Sequence, residues 1–532
     1  MNSKISLNTI MKLINIIFLI VLENIILDSG MGIFGVSLAV YYVFYTLFFS
    51  SLQAGIAKMV SIRNNKGING KSKHIVKPAL VYVFIVCMLV NALGFVVLEA
   101  VCVKLLGMSY PVPVIQILFL VLLFTSLADV LCGYHNGNGN VIVSNISNLL
   151  KCILPIIFSF FIIRLFSGYG NKVSVLLKNT IVKDAYSAMG IATLYLCSSV
   201  IILLIISLFT IKSRMHNRTE NSMYNMDMRR AGAGGFLKVN GKLMLHNIFP
   251  VLSVFIAILF YINGVRKAGL SIEDAYTNLG ILFAKLFLPF VFIIIVFSDY
   301  ISRERHRLRV DYRKDEIKIM TVRAQYMIKN SLFMLIPPTM ILIFLANPIA
   351  KVLYSGQREL TVKYLQTGGA LLLLIGIVYA MSNILKAFEK EILVWLVQGS
   401  SVIAQAAFLL IGFSNAKGDS MMVIYSFYFY YTIQLVIFMA LILQQVRLDV
   451  LDILMKLGKY GVAGIIMMIL FMILDKFITM NIFLFMLSVF FGYLLYYLTL
   501  IALHGISKKD EAALKKTLNY YPVHFLRSRL RL

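Results

Sequence analysis

Four ionisable residues, Glu23, Asp129, Lys151 and Lys285, stand inside runs of apolar residues that leave them little water. A lysine at the centre of a membrane-spanning helix costs about 2.5–3.5 kcal/mol on insertion scales unless it meets water or an anion. Two chemistries suit the lysines. In the first, Lys151 and Lys285 (one in each half of the chain) clamp the phosphates of a single anionic headgroup, each ammonium acting as a point charge. In the second, each lysine snorkels or pairs with a buried carboxylate, and Asp129 is the candidate for Lys151. Glu23 and Asp129 are also candidates for ion or proton coupling. Lys242 and His246, spaced i, i+4 at the start of an apolar run, would meet a headgroup there, although a histidine in that setting also serves to hydrogen-bond a neighbouring helix. Lys58, Gln53 and Asn383 complete the candidate substrate-binding set.

Nothing in the chain points to covalent chemistry. The seven histidines are scattered, with no H-E-x-x-H, and no P-loop or dinucleotide fingerprint is present. Clustered carboxylates of the kind a glycosyltransferase needs are absent as well. The five cysteines, Cys87, Cys102, Cys132, Cys152 and Cys197, lie in or beside apolar runs without a C-x-x-C pair, as small hydrophobes do. The sequence therefore predicts no catalytic residue, no metal and no cofactor. Any driving energy must come from ion gradients, the membrane potential or a partner protein.

Composition decides the class. Of 532 residues, 60% are hydrophobic and 14% charged, with a mean hydropathy of +0.87. Several apolar runs reach twenty residues, which reads as an all-α, polytopic membrane protein. The net charge of +27 does not signal nucleic acid, because Lys and Arg sit in short stretches between apolar runs and no soluble stretch is long enough for a basic domain.

Apolar runs bounded by charge, Gly or Pro predict 14 transmembrane helices, near 8–27, 33–57, 75–98, 112–134, 141–163, 186–211, 243–262, 275–299, 326–347, 364–385, 391–413, 421–445, 460–474 and 482–504. The first, preceded by Lys4 and lacking a small-residue cleavage site, reads as a retained helix rather than a signal peptide. With both termini in the cytoplasm, Lys and Arg fall on the inside about three times as often as on the outside. The segment 164–185, with Arg164, Lys172, Lys178 and Lys183, is the awkward one, yet dropping a helix would invert every later loop. The polar segment 212–242 reads as a linker between an N-terminal lobe, 1–211, and a C-terminal lobe, 243–445. Helices 13 and 14 follow in 446–504, and a basic cytoplasmic tail in 505–532. The segment 302–325 reads as an amphipathic connection whose charges face solvent and anionic headgroups.

The corner "CGYHNGNGN" (132–140) interrupts the apolar pattern, and its glycines are read as permitting a tight reversal. A second short corner, in "SNILKAFEKEI" (382–392), falls six helices later and hints at an internal repeat. Transporters built from two related halves place their substrate site between them. The aromatic run 425–431 reads as interfacial.

Several segments carry a family resemblance. The stretch 32–64 resembles the second-helix region of the polysaccharide transporter and stage V sporulation protein B-like family, of the multidrug/oligosaccharidyl-lipid/polysaccharide (MOP) exporter superfamily. Ile56, Lys58, Val60, Arg63 and Asn64 keep its register, and Gly133, Tyr134, Gly137 and Asn140 match its glycine-asparagine corner. Ala275, Gly280 and Pro289 fit its eighth helix, while "LANPIAKVLY" and "GISKKDEAALKK" resemble its ninth-helix end and C-terminus. Departures are Gln53 and Val143 where proline is usual, Lys151 where an acid is usual, and Cys132 for arginine. The resemblance implies two six-helix lobes around a central cavity plus two C-terminal helices, and alternating access in a bacterial cytoplasmic membrane. It implies a polyprenyl-diphosphate-linked saccharide lipid as cargo, with membrane lipids and glycosyltransferases as partners. The rival expectations are a cation-coupled multidrug antiporter of the same superfamily and a non-transporting scaffold for glycosyltransferases.

Overall fold

The computed structural model describes residues 7–65, 73–99, 109–216, 248–415, 418–477 and 481–505. The described residues form helices and connecting turns, without a strand. In chain order the α-helices are α1 (Leu7–Phe48), α2 (Leu52–Asn65), α3 (Lys73–Glu99), α4 (Pro111–Gly137), α5 (Ile142–Leu177) and α6 (Thr180–His216). Then follow α7 (Ile248–Lys267), α8 (Ile272–Gly280), a π-helical stretch (Ile281–Phe287), α9 (Leu288–Arg313), α10 (Ile317–Phe344) and α11 (Ala346–Leu353). The last are α12 (Arg358–Gly368), α13 (Leu371–Ala387), α14 (Glu391–Asn415), α15 (Met421–Gln445), α16 (Val450–Phe477) and α17 (Ile482–Ala502).

Among the described residues eleven helices are long and apolar enough to cross a membrane, or twelve if the bent pair α12–α13 is one span. The chain is a multi-pass membrane protein. The difference from fourteen arises at two places. Residues 9–64 form one continuous apolar stretch by this measure, and the apolar part of α3, Val76–Ala92, is short. Within α1, Leu27 leaves helical geometry (φ 68°, ψ 171°) and separates two helical pieces of about 30 Å each at 1.5 Å per residue, each one bilayer core long. The break is thus a single residue, and Asp28–Gly32, expected as a loop, are helical.

Two compact units make up the chain. One comprises Met1–Ile25, Ile281–Leu409 and Ser420–Leu532, and the other Ile26–Gly280 and Leu410–Asp419. The expected linker, 212–242, lies almost entirely outside the described residues, as does the tail from 506 onward.

In the second unit, α2, α3, α4 and α6 pack around a core that includes Leu52, Ile56, Val60, Val83, Ile115, Phe119 and Leu122. The α4–α5 corner corrects one reading of its glycines. Only Gly139 takes a positive φ (84°). Gly133 and Gly137 are helical and one turn apart, and they let α4 press onto α2. A Cβ on Gly133 would stand 2.8 Å from the Gln53 carbonyl oxygen, and one on Gly137 2.5 Å from Val60 Cβ. Small residues at i, i+4 are a general device for close helix packing in membranes.

The corner after α13 closes like that after α4. Asn140 N–H donates to His135 O (2.9 Å) and Lys390 N–H to Leu385 O (3.0 Å), each following a left-handed residue, Gly139 or Glu389. The same closure also follows α7 and α9, at Gly269 and Asp315. It therefore describes how this chain reverses and does not by itself mark a repeat.

In the first unit, the charged segment at the end of α9 and the start of α10 is more than a solvated face. Arg309 donates to Lys386 O and to Glu391 (3.0 Å), and Arg313 binds Glu389 (2.9 Å). Arg305 donates to Asn383 (3.0 Å), Arg323 binds Asp311 and Glu304, and Lys329 binds Asp452. These forks fix the 386–391 corner against α9. They also explain a glutamate at a left-handed position: Glu389 is held by Arg313 through Nε and Nη2.

Candidate functional site

Lys285 lies on the π-helical stretch, whose wider turn is a geometry often found at functional positions in otherwise α-helical segments. Its Nζ is 3.1 Å from Glu23 Oε1 and donates to the Ser355 carbonyl oxygen at 2.7 Å. The ammonium also stands 5.7 Å from the centroid of the Tyr354 ring, within cation–π range. Both charged side chains are shut off from solvent, at 1% and 0% exposure. Ser355 offers its carbonyl because α11 has ended. Tyr354 is extended (φ −126°, ψ 143°) and Gly356 is left-handed (φ 93°), so this backbone is free of helical hydrogen bonds. Asn24, next to Glu23, pins the same loop: its Nδ2 donates to Leu353 O (2.9 Å), and its Oδ1 accepts from Ser355 N–H (2.7 Å). Consecutive residues of α1 thus hold the lysine and the loop that caps it.

The second charged pair lies in the other unit. Lys151 Nζ is 3.0 Å from Asp129 Oδ1, with the lysine side chain 36% exposed and the aspartate 7%. This is the carboxylate partner the sequence offered as the alternative to a headgroup. The Tyr45 hydroxyl lies beside Asp129, and that of Tyr41 beside Thr125, one turn earlier on α4.

The other candidates divide. Gln53 Nε2 donates to Ser144 Oγ (2.8 Å) and ties α2 to α5. Asn383 Oδ1 accepts from Arg305 and its Nδ2 donates to Tyr379 O (2.8 Å), which makes it part of the α9–α13 contact. Lys58 is exposed on α2. Lys242 and His246 lie outside the described residues. The structure thus brings Glu23 to Lys285 and Asp129 to Lys151.

Sequence reasoning missed the first of these pairings and, with it, Asn24, Tyr354 and the Ser355 carbonyl. Glu23 and Lys285 are too far apart in the chain for any spacing rule to join them. A carboxylate for every buried lysine was the available cue, since an unpaired charge is costly in hydrocarbon. Among the described residues no group of three His, Cys, Asp or Glu side chains is set to hold a metal ion.

No family model and no curated protein matches the chain. Solved structures do. A multidrug resistance MATE family transporter of the MOP superfamily, in an inward-facing conformation, is similar at 12% identity and a TM-score of 0.62, covering 82% of this chain and 95% of its own. The lipid II flippase MurJ, in an inward closed conformation, is similar at 15% identity and a TM-score of 0.55, covering 92% and 96%. A MOP superfamily transporter from Pyrococcus furiosus is similar at 14% identity and a TM-score of 0.51, covering 81% and 95%. At these identities the likeness is one of fold: this chain is an all-α membrane protein folded like the transporters of the MOP superfamily.

Proposed function

We propose that the protein is a flippase that moves a polyprenyl-diphosphate-linked saccharide across the bacterial cytoplasmic membrane by alternating access between two lobes. The observation that carries this reading is the buried Lys285–Glu23 pair on a π-helical stretch. A diphosphate presents to Lys285 the same kind of anionic oxygen that Glu23 presents now. A proton on Glu23 removes the carboxylate's hold and frees the ammonium for the headgroup. Loss of that proton restores the pair and expels the headgroup. The Ser355 carbonyl and the Tyr354 ring keep the ammonium in place during the exchange. The cycle couples transport to protons without a nucleotide site. Expected orientation puts both termini and the 303–329 segment in the cytoplasm. The sequence resemblance to polysaccharide transporters supports a lipid-linked saccharide as the cargo.

One observation favours a second reading. Each membrane-embedded lysine is neutralised by a carboxylate, so neither site carries a net positive charge. Exchange at the carboxylate instead of the ammonium would suit a cationic drug, as in a cation-coupled antiporter.

Reconstituted vesicles separate the two. Translocation of a fluorescent polyprenyl-diphospho-sugar and efflux of a cationic dye are measured with and without an imposed proton gradient. The flippase reading predicts gradient-stimulated movement of the lipid and none of the dye. Dye efflux without lipid movement would establish the antiporter instead.

A further inference from the structure

Tyr41, Tyr42 and Tyr45 form a cluster on one face of α1. The rings of Tyr41 and Tyr45 are parallel with centroids 5.9 Å apart, and Tyr42 meets them edge-on at 5.4 and 6.3 Å. The register with α4 is one turn for one turn: the Tyr41 hydroxyl beside Thr125, the Tyr45 hydroxyl beside Asp129. Asp129 in turn holds Lys151 from α5. The cluster is open, since Tyr42 is 44% exposed and the Lys151 side chain 36%.

Depth decides what this open face meets. Asp129 is eight residues from the Gly137 end of α4, and Lys151 nine from the start of α5, about 12 and 14 Å along the helices. That is near the middle of a hydrocarbon core of about 30 Å. Interfacial aromatic belts sit at headgroup level, and a half-exposed lysine turned to lipid at mid-depth is costly. The face therefore borders water or a polar ligand. Its chemistry is mixed: aromatic ring surface, an acceptor in Asp129, donors in Lys151, and tyrosine hydroxyls that serve as either. A pyranose matches this set, with a C–H face for the rings and hydroxyls that both donate and accept. A simple cation would use only the ring faces and the Asp129 acceptor and leave the Lys151 donors without a role.

We infer that Tyr41, Tyr42 and Tyr45, with the Asp129–Lys151 pair, form a binding site for the sugar rings of the cargo. The inference rests on the flippase reading, which supplies a cargo that carries sugar rings. It assigns Lys151 to the saccharide and not to the diphosphate.

The test uses the full chain in lipid nanodiscs and compares binding of bare polyprenyl diphosphate with polyprenyl-diphospho-glucose, -galactose and -N-acetylglucosamine. At least one hexose lipid should bind about fivefold or more tighter than the bare lipid, and the double variant Tyr42→Ala, Tyr45→Ala should reduce that preference to less than about twofold. Binding of the bare lipid by this variant reports that it is folded. Equal affinity for the bare lipid and all three hexose lipids overturns the sugar site alone, as does a preference that survives in the double variant. A wild type that binds neither the bare lipid nor any of the three hexose lipids overturns the flippase reading, and the sugar site with it.

Discussion

Breaking the Lys285–Glu23 pair from either side should destabilise the protein with opposite dependence on pH. Lys285→Met leaves the Glu23 carboxyl buried, and a buried carboxyl without its cation must take up a proton. From an ordinary glutamate pKa near 4.3, that costs about 3.7 kcal/mol at pH 7 and only about 1 kcal/mol at pH 5. Glu23→Gln leaves the ammonium buried. Stripping its proton from an ordinary pKa near 10.4 costs about 4.6 kcal/mol at pH 7 and about 2 kcal/mol at pH 9. Lys285→Met should therefore gain stability as pH falls, and Glu23→Gln as pH rises. Both estimates agree with the roughly 3–5 kcal/mol expected when one member of a buried ion pair is removed. The double variant Glu23→Gln, Lys285→Met removes both charges and should recover most of that loss, giving a coupling energy of about 6 kcal/mol at pH 7. Thermal unfolding of the four proteins in detergent micelles at pH 5, 7 and 9 measures the cycle. A double variant as unstable as the worse single variant, or two single variants with the same pH slope, would refute the reasoning.

Two further outcomes follow from the geometry and a third from the distribution of Lys and Arg along the chain. Lys151→Ala should lower stability by about 1–2 kcal/mol by stranding Asp129, and adding Asp129→Asn should restore it, with expression level and unfolding temperature as readouts. Gly137→Val should destabilise by about 1–3 kcal/mol or more, because even its Cβ would overlap Val60, whereas Gly139→Ala should cost about 1 kcal/mol through its left-handed φ alone; unfolding temperatures rank the two. Single cysteines at Arg303 and Lys314, in a chain without its native cysteines, should resist impermeant thiol reagents in intact cells, and ready labelling from outside would invert the topology.

Sequence patterning was most informative where periodicity and hydropathy suffice. The stretches expected as spans fall largely on helices, because an apolar run in a membrane has one economical backbone solution. The expected break at 28–32 failed because polar Asp28 and Ser29 and two glycines look like a loop. The structure instead buries Asp28 and gives Ser29 the Asp184 carboxylate (2.5 Å). The site was half legible. A lysine and an aspartate on neighbouring helices 4 and 5 are close enough in sequence to be suspected as partners, and they are paired. The Glu23–Lys285 pair, the Ser355 carbonyl and the register of Tyr41 and Tyr45 on α4 depend on tertiary packing between distant segments, which leaves no mark on local spacing. The pairing also changes what a lysine substitution means. Removing Lys285 strands a carboxylate, so a loss of function in Lys285→Ala alone does not separate a ligand role from a folding defect.

The neutral double variant Glu23→Gln, Lys285→Met is free of that ambiguity, and it tests the central claim most directly. Reconstituted into vesicles at equal folded amounts with the wild type, it is assayed for translocation of a fluorescent polyprenyl-diphospho-sugar under an imposed proton gradient. The account predicts gradient-stimulated flipping by the wild type and background rates by the folded double variant. Wild-type flipping by that variant would contradict it.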